Sequence, residues 1–185
     1  MGKYKDIRQD FWKEIFAKAL PYDEYLSTSD PGHADKWRAM AGKVIVTEGG
    51  KTLVRGFRRK LKVLVHSGVW CGDCVRQGPM LQAIAAENPC IDLRFVERVD
   101  DSRLADELRI NGATKVPVVV FLSEDFYELG RFGDRLLTVY RRMARDQVGA
   151  VCSTGLVAPP ADEAAAEISE WMDIFERMHI ILLLS

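Results

Sequence analysis

The sequence feature that most constrains the fold is a junction. The apolar run Val63-Leu64-Val65 leads within a few residues into Trp70-Cys71-Gly72-Asp73-Cys74. A strand ends, a tight turn follows, and two cysteines stand three apart where a helix begins. That spacing puts both sulfurs on one face of the first helical turn, within reach of a disulfide. A helix N-terminus carries unpaired N–H groups and the positive end of the dipole, so Cys71 is favoured as a thiolate. Thiolates attack disulfides, and a second thiol within reach resolves the mixed disulfide that results. The residues themselves therefore point to dithiol–disulfide exchange.

The rest of the chain frames this junction. At 185 residues with 48% hydrophobic and 29% charged side chains, it has the composition of one globular domain with extensions. A net charge of −1 gives no electrostatic case for nucleic acid or an anionic membrane as partner. The charged start, Met1 to Asp10, predicts no secretory signal, and Asp6 stands where a myristoylation site needs Ser or Thr. The apolar run Ile180–Leu184 is too short to span a bilayer. Four cysteines, Cys71, Cys74, Cys90 and Cys152, do not make a disulfide scaffold in a chain this long, so a cytoplasmic location is expected.

Periodicity predicts a helix over 4–19, with Ile7, Phe11, Ile15 and Ala19 at four-residue steps and an end at Pro21. A polar connection over 20–33 follows, then a short helix from Asp35 and another over 47–60. Strands are expected at 62–67, 92–99 and 116–122, with an antiparallel hairpin partner at 126–131. Helices are expected at 71–87, kinked by Pro79, and at 103–109. Asp134 reads as the N-cap of a helix through Tyr140 and Ala144. After a Gly/Ser/Thr/Pro-rich linker over 149–160, a last helix starts near Asp162. Ile168, Trp171, Met172, Phe175 and Met178 form its apolar stripe.

The resulting order, β-α-β-α-β-β-α, resembles the thioredoxin superfamily over about residues 61–146. Cys71 and Cys74 match the family's redox pair and Trp70 the tryptophan before it. Pro79 matches its helix-kinking proline, Pro117 after Val116 its cis-proline facing the redox pair, and Gly130 and Gly133 the glycine after its last hairpin strand. The resemblance implies an α/β thioredoxin-like fold, a central mixed four-stranded sheet flanked by helices. Residues 1–60 would be an N-terminal helical extension packed on the core, 61–148 the thioredoxin-like domain, and 149–185 a linker and C-terminal helix. Two departures stand out. Gly72-Asp73 replaces the usual Gly-Pro, and Val65-His66 stand where thioredoxin proper has a buried Asp.

By this resemblance the chain is a divergent bacterial thioredoxin-like disulfide oxidoreductase with Cys71 as nucleophile and Cys74 as resolving thiol. No cofactor or metal beyond the redox-active cysteines is expected. Trp70, Gly72, Asp73, Val116 and Pro117 would support the site, the Val116 backbone receiving an extended substrate by strand addition. Partners would be disulfide-bearing proteins or small molecules and a donor of the thioredoxin-reductase type. A structural zinc site would need more ligands than this chain groups together, and haem attachment would need His where Val75 stands. A non-catalytic adaptor using the Pro117 groove and the helical extensions is the alternative.

Individual residues carry two readings each. Asp73 either repels the Cys71 thiolate or complements the helix dipole. His66 either handles a proton beneath Cys74 or is a strand-end histidine satisfied by backbone. Trp70 is either a core aromatic or a lid beside the sulfurs. Cys90 and Cys152 read as incidental, and the terminal helices as core packing or a dimer contact.

Overall fold

The computed structural model describes residues 5–148 and 162–185. The 149–160 linker and Cys152 lie outside the described residues. Helix α1 (Gln9–Lys18) is followed by a two-residue strand, β1 (Leu20–Pro21), and three helices, α2 (Tyr22–Ser27), α3 (Pro31–Ala41) and α4 (Glu48–Arg55). Then come β2 (Leu61–Ser67), α5 (Gly72–Ala85), β3 (Ile91–Glu97), α6 (Ser102–Glu107), β4 (Val118–Leu122), β5 (Glu128–Gly133), α7 (Leu137–Val148) and α8 (Glu163–Leu184).

The sheet has five strands, not the four expected, in the order β1-β3-β2-β4-β5. The missed strand is β1, which pairs antiparallel with β3 through Leu20 and Pro21. Two residues carry no readable alternation, so only the meeting with β3 makes them a strand. β2 and β3 run parallel from Leu61↔Ile91 to Ser67↔Glu97, and β4 pairs antiparallel with both β2 and β5. The ladder of β4 begins at Val118 rather than Val116, since Pro117 has no N–H to give it.

Covered faces explain the solid apolar strands. Strand side chains alternate, so Val63 and Val65 face one way and Leu64 the other. On the first face Val63, Val65, Val119 and Phe121 pack with Trp37 of α3, Cys74 and Leu81 of α5, and Trp171 and Phe175 of α8. On the second face Leu64, Val118, Val120 and Leu122 pack with Trp12, Ile15 and Phe16 of α1 and Leu104 of α6. Each large side chain buried here stabilises the fold by roughly 1.5–3 kcal/mol.

Several local expectations shift. α1 starts at Gln9, with residues 5–8 outside it, and Ile7 is exposed rather than part of a stripe; Trp12, Ile15, Phe16 and Ala19 make the buried face. The supposed polar connection contains α2, whose Tyr22, Tyr25 and Leu26 are buried. α3 begins four residues before Asp35, with Pro31 in its first turn and Asp30 capping the His33 N–H. α4 ends at Arg55 rather than running to 60, with Gly56 closing it.

Asp134 is not a helix cap. Its buried carboxylate pairs with Lys115 and Arg135 and accepts from the Tyr140 hydroxyl. The cap arrives instead from α8, where the Glu170 carboxylate accepts from the Leu137 and Thr138 N–H groups at 2.6 and 3.1 Å. A second link joins α8 to α5. Glu167, with no exposed surface, receives Arg76 on both oxygens at 2.8 Å. α8 is the helix expected from Asp162, and Asp162 caps it through the Ala165 N–H.

Candidate active site

β2, a central strand, ends at Ser67 at the C-terminal end of the parallel pair, and a turn closed by Cys71 N–H on the Gly68 carbonyl (2.9 Å) leads into α5. Cys71 is the N-cap residue of α5, in extended conformation, and the residue is only partly buried. Cys74, one turn on, is fully buried, and both stand as free thiols. The Gly68 N–H donates to the Cys74 sulfur at 3.4 Å.

The two thiols are pushed in opposite directions. The Cys71 pKa falls to about 6, chiefly because the Cys74 thiol donates a hydrogen bond to it, with the N–H groups of Cys74 and Asp73 adding to the effect. Desolvation opposes this shift, and the charge of Asp73 opposes it least. Burial raises the pKa of Cys74, and the neighbouring Cys71 raises it further. Asp73 is an ion-pair partner of Arg135 at 2.6 Å, which offsets its charge beside Cys71.

Across from the pair lies the loop before β4. The Cys71 thiol donates to the Val116 carbonyl at 3.6 Å, and the Val116–Pro117 peptide is cis. Gly133 in β5 sits against this loop, where a Cβ would stand 2.6 Å from the Pro117 oxygen. Trp70 is 49% exposed, with the Arg98 guanidinium over its ring. Gly72 is exposed, and a Cβ there would meet nothing within 4 Å, so packing alone does not require glycine.

His66 does not sit under Cys74. It falls on the Leu64 side of β2, one residue out of phase with Val65 and Ser67, which share the face of Cys74. Both buried ring nitrogens lack a well-formed hydrogen bond among the described residues, while the Arg98 backbone lies close enough to oppose the burial that lowers the His66 pKa. Cys90 precedes β3 at the opposite end of the sheet, where its carbonyl accepts from the Leu61 N–H.

Sequence reasoning missed the residues that brace the turn. Trp37 Nε1 donates to the Val69 carbonyl at 2.9 Å, and the Val69 N–H donates to Glu97 at 3.1 Å. Tyr25 donates its hydroxyl to the same Glu97 oxygen at 2.6 Å. Gly78 admits the Trp37 ring, since a Cβ there would lie 1.9 Å from it. These groups come from α2, α3 and β3, and no spacing within the motif announces them. Among the described residues no cluster of three His, Cys, Asp or Glu is arranged to hold a metal ion, and no helix is long and apolar enough to cross a membrane.

A mixed sheet with a cysteine pair at the start of its first long helix, facing a Val-Pro loop, defines a thioredoxin-like α/β protein. The thioredoxin family model matches residues 19–146, and the chain belongs to that family. No curated protein matches the sequence. Among solved structures, a Pseudomonas aeruginosa protein of unknown function is 19% identical over 93% of this chain and 94% of its own, with a TM-score of 0.63. An HIV epitope scaffold is 18% identical over the same shares, 93% and 94%, with a TM-score of 0.61. At such identities these likenesses speak to the fold alone.

Proposed function

We propose that the protein is a thiol–disulfide oxidoreductase. The observation that carries the proposal is the contrast within one helical turn, a partly buried Cys71 whose thiol pKa is lowered to about 6 beside a fully buried Cys74. The Cys71 thiolate attacks a substrate disulfide, forming a mixed disulfide and releasing one substrate thiolate. Cys74 then attacks the Cys71 sulfur, the second substrate thiol leaves, and the Cys71–Cys74 disulfide holds the two electrons' worth of oxidation. A dithiol donor of the thioredoxin-reductase type returns the pair to the reduced state. The Val116 backbone, 3.6 Å from the Cys71 sulfur, offers the edge along which an extended substrate would lie. Exposed Trp70 precedes Cys71 in the chain with its ring against Gly68, and the Asp73–Arg135 pair lies in the same helical turn as the thiol.

Insulin reduction tests the proposal. The purified protein should accelerate the dithiothreitol-driven precipitation of insulin chains, and Cys71→Ser should abolish the acceleration. A second arm replaces dithiothreitol with NADPH and a thioredoxin reductase. A rate no faster than dithiothreitol alone would leave a binding module as the better description.

A further inference from the structure

An extended substrate disulfide must fit between two parts of the chain that are far apart in sequence, the start of α5 with Cys71 and the loop that presents Val116. Among the described residues, 114–116 make no main-chain hydrogen bond to other main chain. Side chains hold the loop instead. Val116 is buried in the core, and Lys115 Nζ reaches the Asp134 carboxylate at 3.2 Å.

Asp134 is where the two parts meet. It follows Gly133, which pairs with Val118 in the β4–β5 ladder, so the sheet places it beside the entry of β4. Its side chain is almost fully buried, and its carboxylate also pairs with Arg135 at 3.0 Å and accepts from the Tyr140 hydroxyl of α7. Arg135 carries the link on to Asp73 in the first turn of α5, at 2.6 Å. The Asp134 carbonyl accepts from Gln77 Nε2 at 3.0 Å, and Gln77 lies in α5 one turn beyond Asp73. Burial opposes the Asp134 charge, but the Tyr140 hydroxyl and Lys115 outweigh it and hold the carboxyl below its usual pKa. Two cations and two carboxylates balance in this cluster, so it offers a substrate no free charge.

We propose that Asp134 is a positioning residue for the substrate groove. Through Lys115 it holds the Val116 loop, and through Arg135 and Gln77 the first turns of α5, at the separation an extended peptide disulfide requires. The inference rests on the oxidoreductase reading and assigns what fits that site to a peptide. A buried ionic cluster is weak evidence for stability, since apolar side chains of similar volume serve as well; this one fixes a distance. A disulfide without a peptide backbone does not use the Val116 edge, so its rate is set by the Cys71 thiolate alone. A peptide disulfide uses both, and a loosened loop weakens its binding before the chemistry begins.

Stopped-flow thiopyridone release tests this in the full chain carrying Cys90→Ser and Cys152→Ser. With equimolar 4,4′-dithiodipyridine, the first thiopyridone released reports attack by Cys71, and the second reports resolution by Cys74. The companion reagent is a short Val/Thr-rich peptide, capped at both ends, whose central cysteine is joined to 4-thiopyridine by a disulfide. The Cys71 thiolate bonds to the peptide sulfur, and thiopyridone leaves with the electron pair of the broken S–S bond. Asp134→Asn and Lys115→Met should each raise the peptide concentration for half-maximal rate at least ~10-fold, within the hundredfold that a misplacement of about 1 Å can cost. The maximal rate and the first phase with 4,4′-dithiodipyridine should stay within about twofold, and Lys115→Arg, which keeps the ion pair, should bind the peptide as the parent does. Lys115→Met leaves Asp134 with Arg135 and Tyr140, so it reads the loop without unpairing the buried carboxylate. An unchanged half-maximal concentration in Lys115→Met overturns the proposal. So does equal slowing with both reagents, because the cluster would then support the thiol or the fold rather than the groove. A parent that releases thiopyridone from neither reagent would instead defeat the oxidoreductase reading.

Discussion

Removing the buried thiol should change the reactivity of the exposed one with a sign that depends on pH. In the native pair the Cys74 thiol is the largest contributor to the lowered pKa of Cys71, about 6, so the thiolate is half formed near pH 6. Cys74→Ala deletes that donor and leaves the α5 N–H groups, which alone should hold the Cys71 pKa at about 7.5. At pH 6 the thiolate fraction then falls about 16-fold, from about one half to about 3%. The more basic thiolate is intrinsically about 4–6-fold the better nucleophile, given a Brønsted slope of about 0.4–0.5. The variant should therefore react about 3–4-fold more slowly than the native protein at pH 6 and about 4–6-fold faster above pH 9, the two curves crossing between. The assay is the initial rate of thiopyridone release from 4,4′-dithiodipyridine across that range, in protein lacking Cys90 and Cys152. A native midpoint at pH 8 or above would refute the argument. So would curves that run parallel without crossing, because the buried thiol would then not be what holds the thiolate.

Three further outcomes follow from the same geometry. Asp73→Asn removes the negative charge beside Cys71, leaving Arg135 paired with Asp134 alone, and should make the cysteine pair more oxidising, whereas Arg135→Met bares the Asp73 charge and should make it more reducing. Both shifts should stay under about 30 mV against glutathione, because Asp73 is the weakest of the influences on Cys71, and shifts of the same sign in the two variants would contradict this account. Arg76→Met strands the buried Glu167 carboxylate and should cost about 2–4 kcal/mol in urea unfolding, toward the low side for a broken buried pair because Arg76 keeps a third of its surface in water. Adding Glu167→Leu should recover most of that loss; a double variant no more stable than the single one would count against it. Gly133→Ala should cost about 1–3 kcal/mol and slow the first thiopyridone phase, since its Cβ would push on the Pro117 carbonyl and the loop facing Cys71. An unaltered first phase would show that the loop is not held by this contact.

Much of the scaffold was legible because it rests on local rules. The valine and leucine runs of β2 and β4, the i, i+3, i+4 stripe of α8 and its Asp162 cap, and the cysteine pair at a helix start each depend on residues a few positions apart. Where local signals competed, tertiary contact decided. Pro21 and Pro31 look like breakers in a polar stretch, yet they flank a helix whose two tyrosines fill the space beside Trp37 and Phe95. Asp134 has the chemistry of a cap, but a buried carboxylate beside Lys115 and Arg135 is better satisfied by those charges, and Glu170 reaches the helix amides instead.

For the candidate site, the residue order by itself determined that Cys71 and Cys74 share one turn at a helix N-terminus, with Trp70 before them, because three residues of helix bring two side chains together whatever surrounds them. Which groups meet those sulfurs was decided by the tertiary structure alone. His66 is next to Ser67 in sequence, but the pleat turns it to the other face. Glu97 stands 72 residues from Tyr25 and 28 from Val69, and it reaches both because β3 lies parallel to β2 with Ser67 opposite Glu97. Arg135 meets Asp73 across the loop after β5. Contacts of this kind depend on which strand edges and helix faces pack together, a property of the whole core that no short window of sequence contains.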